Sequence, residues 1–229
     1  MSDRLFLGLD NSMDFLNLVL GAEDRLIEER HSREERHSSE VLPVKVSQML
    51  ADHGVAVKDL SALVVTLGPG SFTGVRVALA FCKGLVAGLA IPLFGIPTPD
   101  VLAFPFDFME GYYLCPLIDA KKGEVFFALY RVTNGAVIRV DGFHALKPDN
   151  IKESIPTPCL CFGTGVGLCK SALAGIVGLR MIEGHFQRVS GEALLRAGIA
   201  AQARGRHEEA TPIYGRRSEA EITFNIHIT

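Results

Sequence analysis

Asp10 closes the first apolar run of the chain, Leu5–Leu9, and is followed at once by Asn11 and Ser12. An aspartate at a strand end can hold a metal–phosphate complex, as in phosphoryl transfer. The same residue in a hairpin turn accepts backbone N–H bonds instead. The strongest local signal is Gly68-Pro69-Gly70-Ser71-Phe72-Thr73-Gly74, with Arg76 just beyond it. Three glycines between a buried strand and a helix N-terminus permit close backbone approach to an anion, helped by the helix dipole. The competing reading is a structural turn that fixes strand against helix. No Gly-Lys-Ser/Thr follows, so this is no Walker loop. The acidic residue that a dinucleotide fingerprint places ~20 residues on is absent, since Leu93–Pro99 stand there. Gly70 directly precedes Ser71, which excludes a nucleophile elbow.

Histidines stand at 31, 37, 53, 144, 185, 207 and 227, with no i, i+4 pair on a convincing helix, so a zinc peptidase site is not expected. Cys159 and Cys161 share one face of a strand, while Cys82 and Cys169 fall on helices. Their spacing offers no four-thiolate zinc site, and buried structural thiols are the expectation. No catalytic residue, metal site or cofactor is assigned.

Hydrophobic residues make up 48% of the 229 and charged residues 21%, which excludes bulk disorder. The net charge of −3 argues against a chain that grips tRNA or DNA alone. Any nucleic acid is expected to be met through a partner. The longest uncharged runs, Leu60–Val75, Gly84–Pro99 and Ser154–Cys169, have 16 residues each and contain proline, short of the ~20 apolar residues of a spanning helix. The opening Met1–Arg4 leads into only five apolar residues, which reads as no signal peptide. Five cysteines, an odd number, read as reduced and cytoplasmic.

The elements that must position these residues follow from the pattern. Leu5–Leu9, Phe15–Leu20 and Asp24–Arg30 read as a three-stranded meander. The local duplication Glu28–Ser32 and Glu34–Ser38 reads as a solvated strand end and helix entry. Ser38 or Ser39 can cap a helix with apolar positions Leu42, Val46, Met49 and Leu50, ending near Gly54. Ala62–Leu67 is a strand buried on both faces. Thr73 can cap a long helix to about Ala90, and Leu93–Ile96 is the next strand. Thr98 can cap a short helix. In the second half, Leu114–Asp119 and Glu124–Arg131 flank an Ala-Lys-Lys-Gly turn, Cys159–Phe162 enters a glycine loop, and Ser190–Arg204 is the closing helix. Both halves thus begin with antiparallel strands and continue as α/β units, so two lobes are expected, 1–104 and 105–229. The closing helix is a candidate to pack back on the first lobe.

One helix says more. In Thr73–Ala90 the positions Ala78, Cys82, Leu85, Val86 and Leu89 suit a sheet, yet the opposite side carries Val77, Ala80, Phe81, Gly84 and Gly88. A helix apolar all round is buried all round, either under the second lobe or under a partner.

Gly68–Arg76, with its preceding strand and following Ala/Gly-rich helix, resembles the signature of the TsaB (YeaZ) family. Leu7–Ser12, Arg36–Pro43, Ile118–Val125 and Pro212–Arg216 are similar to that family's other blocks, in order. The resemblance implies an α/β fold of two ribonuclease-H-like lobes of the actin/Hsp70/sugar-kinase type. It implies a non-catalytic subunit that supports TsaD, which transfers threonylcarbamoyl from threonylcarbamoyl-AMP to N6 of the adenosine beside the tRNA anticodon. A TsaE-like ATPase is implied as a further partner. The family's contact surface matches Ser39–His53 and Thr73–Ala90, and the same face predicts a homodimer when the partner is absent. Asn11 and Met13 replace the family's threonines, and Asp10-Asn11-Ser12 lacks the glycine of a phosphate loop, which weakens nucleotide binding. Gly215 stands where leucine is usual. The alternatives are a small-molecule kinase or ATPase of the same fold, which needs two glycine-flanked aspartate loops, and a metallopeptidase-like protein, which needs a histidine pair.

Overall fold

The computed structural model describes residues 4–23, 25–33, 38–184, 186–205 and 210–215. Leu5–Asp10 (β1) and Leu16–Ala22 (β2) pair antiparallel, and Leu26–Ser32 (β3) extends the meander from β2. β1 and β2 are buried almost throughout, which is why they read as continuous apolar runs. β3, at the sheet edge, carries Glu28, Glu29 and Arg30 at partial exposure and His31 exposed; the second copy of that duplication, at 34–37, lies outside the described residues. Ser38–Asp52 (α1) follows and buries Leu42, Val46, Met49 and Leu50, as their spacing predicts. Leu60–Thr66 (β4) lies parallel to β1, Phe72–Leu89 (α2) crosses over, and Leu93–Ile96 (β5) lies parallel to β4. The first sheet therefore has the order β3-β2-β1-β4-β5.

Thr98–Ala103 (α3) leads into the second half. Thr98 does not cap it: Pro97 holds the cap position and Thr98 is wholly buried in the first turn. The second sheet is built from Tyr113–Lys121 (β6), Glu124–Phe127 (β7), Tyr130–Thr133 (β8), Ala136–Arg139 (β9), His144–Leu146 (β10), Cys159–Phe162 (β11) and Leu179–Ile182 (β12). Its main path, β10-β7-β6-β11-β12, repeats the order of the first sheet. Val166–Leu173 (α4) stands after β11 as α2 does after β4. Two such sheets in tandem are the two ribonuclease-H-like lobes of the actin/Hsp70/sugar-kinase arrangement. The single strand expected over Glu124–Arg131 is broken at Ala128-Leu129. β7 pairs with the end of β6 and β8 with its beginning, and the shifted Tyr130 donates its hydroxyl to Asp100 of α3 at 2.6 Å.

Gly191–Ala203 (α5), capped by Ser190, packs on β1, β2, β4 and β5 of the first sheet. α1 and α2 cover the other face. The core under α5, with Phe6, Val64, Leu194 and Leu195, continues into Leu114, Ile118, Phe126 and Phe162 of the second sheet. Full burial of each such large side chain contributes about 1.5–3 kcal/mol, so the two sheets are held by one shared core. Among the described residues α2 is the one helix long and apolar enough to cross a membrane by length and composition. Counting uncharged runs misses it, because Arg76 and Lys83 lie within it.

Candidate functional site

The ends of β1 and β4 are neighbours in the sheet, and this brings Asp10–Ser12 and the glycine block together. Asp10 has no exposed surface. Its Oδ1 accepts from the Ser12 backbone N–H at 3.0 Å, from Ser12 Oγ at 2.5 Å and from Thr66 Oγ1 at 2.7 Å. Its Oδ2 is buried with no hydrogen-bond partner. Burial pushes the Asp10 pKa up from 3.8, and the hydrogen bonds from Ser12 and Thr66 offset part of that rise. Asp10 is thus turned into the protein and accepts the Ser12 backbone N–H, as a hairpin aspartate does.

The pKa shift has a stability consequence. An acid whose folded pKa is raised binds more protons folded than unfolded over the window above its unfolded value. Stability from this group is fully present below pH 3.8 and is lost as pH rises through the elevated folded pKa. Asp10→Asn keeps an oxygen acceptor for Ser12 and Thr66 and cannot ionise. The variant is expected to lose less stability than wild type between about pH 4 and pH 7 in urea titrations. Parallel pH profiles for the two proteins would refute the assignment.

The glycine block serves the protein's own backbone. A Cβ at Gly70 would overlap the carbonyl oxygen of Ser12, and one at Gly74 that of Asn11. Ser71 N–H donates to the Ser12 carbonyl at 2.7 Å, and Asn11 Nδ2 donates to the Gly74 carbonyl at 3.2 Å. The β1–β2 turn thus lies directly against Gly70 and Gly74, the close backbone packing that the structural-turn reading of Gly68–Gly74 calls for. The helix cap also differs from expectation. α2 begins at Phe72, so Ser71, and not Thr73, is the N-cap, its Oγ accepting from Gly74 N–H at 3.2 Å.

The closing motif lands on the same loop. Ile213 N–H donates to the Leu67 carbonyl at 2.7 Å. The Arg76 guanidinium lies 3.9 Å from the Phe72 ring centroid and 5.2 Å from that of Tyr214, and Arg76 Nε donates to the Tyr214 hydroxyl at 2.8 Å. Gly215 has φ +60°, and a Cβ there would meet Phe126 at 2.8 Å and Pro69 at 2.9 Å. A leucine at this place would be strained and crowded, which accounts for the departure at 215. Arg216 lies outside the described residues. Sequence reasoning did not join Arg76 to Tyr214, since nothing local links residues so far apart.

The second face of α2 is divided by the structure. Val77 and Phe81 are half-buried against the core beneath α2. Ala80, Gly84 and Gly88 are exposed, and a Cβ at Gly84 or Gly88 would meet nothing within 4 Å. The second lobe does not cover this face. α1 packs beside it and adds exposed Val44. Among the described residues no group of three or more His, Cys, Asp or Glu side chains is placed to hold a metal ion.

Comparison with known proteins agrees with this geometry. Residues 28–152 match the family model described as TsaD, tRNA N6-adenosine threonylcarbamoyltransferase. The chain is 30% identical to the tRNA threonylcarbamoyladenosine biosynthesis protein TsaB of Bacillus subtilis, over 95% of this chain and 96% of that one. It is 30% identical to TsaB of Escherichia coli over 80% and 82%. A solved structure of YeaZ from Pseudomonas aeruginosa superposes with a TM-score of 0.73 at 27% identity, covering 91% of this chain and all of that one. Signature loop, doubled sheet order and full-length similarity lead to one conclusion: the chain belongs to the TsaB (YeaZ) family of tRNA threonylcarbamoyladenosine biosynthesis proteins.

Proposed function

We propose that this chain, a protein of tRNA threonylcarbamoyladenosine biosynthesis, is a non-catalytic subunit that supports a TsaD-like transferase. That transferase moves threonylcarbamoyl from threonylcarbamoyl-AMP to N6 of the adenosine beside the anticodon. The observation that carries the reading is the exposed Ala80–Gly84–Gly88 face of α2, a small-residue surface on which a partner helix can pack closely. The buried Asp10 and the glycine loop packed on the β1–β2 turn favour it over a kinase or ATPase, whose aspartates and glycines face a nucleotide.

On this reading α1 and α2 take the TsaD-like partner, and two copies of the chain cover each other's α2 when that partner is missing. A TsaE-like ATPase joins the pair, and tRNA is reached through the partner, as the net charge of −3 suits. The protein works in the cytoplasm, away from membranes. Co-expression with a TsaD-like protein and a transfer assay test this. The expected result is a co-purifying pair, transfer only when the TsaD-like subunit is present, and no ATP turnover by this chain alone. Threonylcarbamoyl transfer by the isolated chain would overturn it.

A further inference from the structure

α2 carries two charged residues, Arg76 and Lys83, and no acidic one. Arg76, Ala80, Lys83 and Ala87 recur at the helical period, and all four are exposed. The two cations therefore flank Ala80 on one face, ~10 Å apart along the axis. Gly84 and Gly88 lie beside the same row and are exposed too. A helix laid across Ala80 and Gly84 has a cation on either side.

Arg76 is fixed before any partner arrives. Its guanidinium lies 3.9 Å from the Phe72 ring centroid, and its Nε donates to the Tyr214 hydroxyl at 2.8 Å. Phe72 and Tyr214 touch each other, their ring centroids 4.9 Å apart. Stacking and the Nε bond set the plane of the guanidinium and leave Nη1 and Nη2 uncommitted among the described residues. A planar fork with both terminal nitrogens free takes a carboxylate by two parallel bonds. Setting it beforehand lowers the side-chain entropy lost on binding. A phosphate fits the same fork, but the row continues into a small-residue helix face, and a net charge of −3 opposes a nucleic-acid backbone.

We propose that Arg76 pairs with a carboxylate on the contacting helix of the TsaD-like partner, and that this pair, with Lys83 beside it, selects that partner over a second copy of this chain. The proposal rests on the reading of α2 as the partner surface. Selection follows from what α2 cannot offer itself. A two-fold pairing over Ala80 and Gly84 sets one cation row against another, with no acid on either helix. α1 beside it exposes Glu40, in its first turn, and Asp52, which is already bonded to Arg30. Like charges weaken the self-contact, whereas a partner's carboxylate is drawn to the same row. The self-pair thus yields to the heteropair although both use one face.

The test follows both associations by sedimentation of the full chain, alone and with a TsaD-like protein, from about 0.05 M to about 0.5 M sodium chloride. The wild-type heteropair is expected to weaken as salt rises, and the self-pair to hold or tighten. Arg76→Gln should cost the heteropair on the order of tenfold at low salt and flatten its salt dependence, while the self-pair tightens. Arg76→Lys keeps the charge and loses the fork, so it should fall between. Tyr214→Phe removes only the acceptor of the Nε bond and should weaken the heteropair but not the self-pair. Circular dichroism checks each fold, and Lys83→Gln, at an exposed position, carries the same comparison should Arg76→Gln unfold. Absence of any heteropair with wild type would refute the reading of α2 as the partner surface. A heteropair that forms but ignores both salt and Arg76→Gln would leave that reading in place and overturn this proposal. So would a self-pair weakened by Arg76→Gln or by Glu40→Gln, or tRNA binding by the lone chain that Arg76→Gln abolishes.

Discussion

Gly74→Ala and Gly70→Ala are each expected to lower the free energy of unfolding by about 3 kcal/mol or more, at the upper end of overpacking effects. The reason is what the new methyl would meet. At Gly74 it is the backbone carbonyl of Asn11, and at Gly70 that of Ser12, where a flexible side chain could have moved aside. Neither carbonyl is free to retreat. The Ser12 carbonyl is held by Ser71 N–H, and the Ser12 backbone N–H and hydroxyl are both tied to buried Asp10. Moving the turn would strip donors from a carboxyl that already has one unpartnered oxygen. Gly84→Ala is the matched control, because nothing lies within 4 Å of its Cβ and the site is an exposed helix interior. In the monomer that change should add about 0.5–1 kcal/mol. Urea midpoints followed by far-UV circular dichroism measure all three. Equal midpoints for Gly74→Ala and wild type would show that the glycine block is not packed on the β1–β2 turn.

The second large effect concerns association. Gly84→Arg and Ala80→Arg should leave the monomer folded, since both positions are exposed in it. In a helix-to-helix contact each would bury an unpaired charge where the backbones approach. That costs ~3 kcal/mol or more, a loss of about a hundredfold in affinity. Sedimentation of wild type and variants, alone and with a TsaD-like protein, reads the result, and circular dichroism checks the fold. Val77→Arg separates this from a general surface effect: Val77 is half-buried on the core beneath α2, so that variant should lose stability as well as association. If Gly84→Arg folds and still associates as wild type does, the contact uses another surface.

Local chemistry made much of this protein legible. Leu42, Val46, Met49 and Leu50 recur with the helical period and are buried where α1 meets the first core. β1, β2 and β4 announced themselves as apolar runs because they are central strands, covered on both faces. The all-round apolar character of α2 was visible too. What that pattern cannot encode is which apolar residues stay exposed. Val77 and Phe81 lean onto the core while Ala80, Gly84 and Gly88 do not, and this depends on how α1 and the first sheet sit beside the helix.

The residues that matter most at the site were singled out by type, but their roles came only from the tertiary structure. Gly68–Gly74 fits an anion cradle and a tight backbone crossing equally well, because glycine serves any close approach. The crossing was decided by the parallel pairing of β1 with β4, which sets the Asn11-Ser12 turn into the loop. Asp10 reads alike as ligand or turn residue until its burial is known. Tyr214 on Arg76, Gly215 between Phe126 and Pro69, and Cys115 opposite Cys161 are contacts between segments far apart in the chain. Period and spacing report the local forces that build helices and strands, so the sequence by itself determined the elements and the family. Long-range pairing, which no local pattern records, decided which carbonyl, ring or thiol each residue faces.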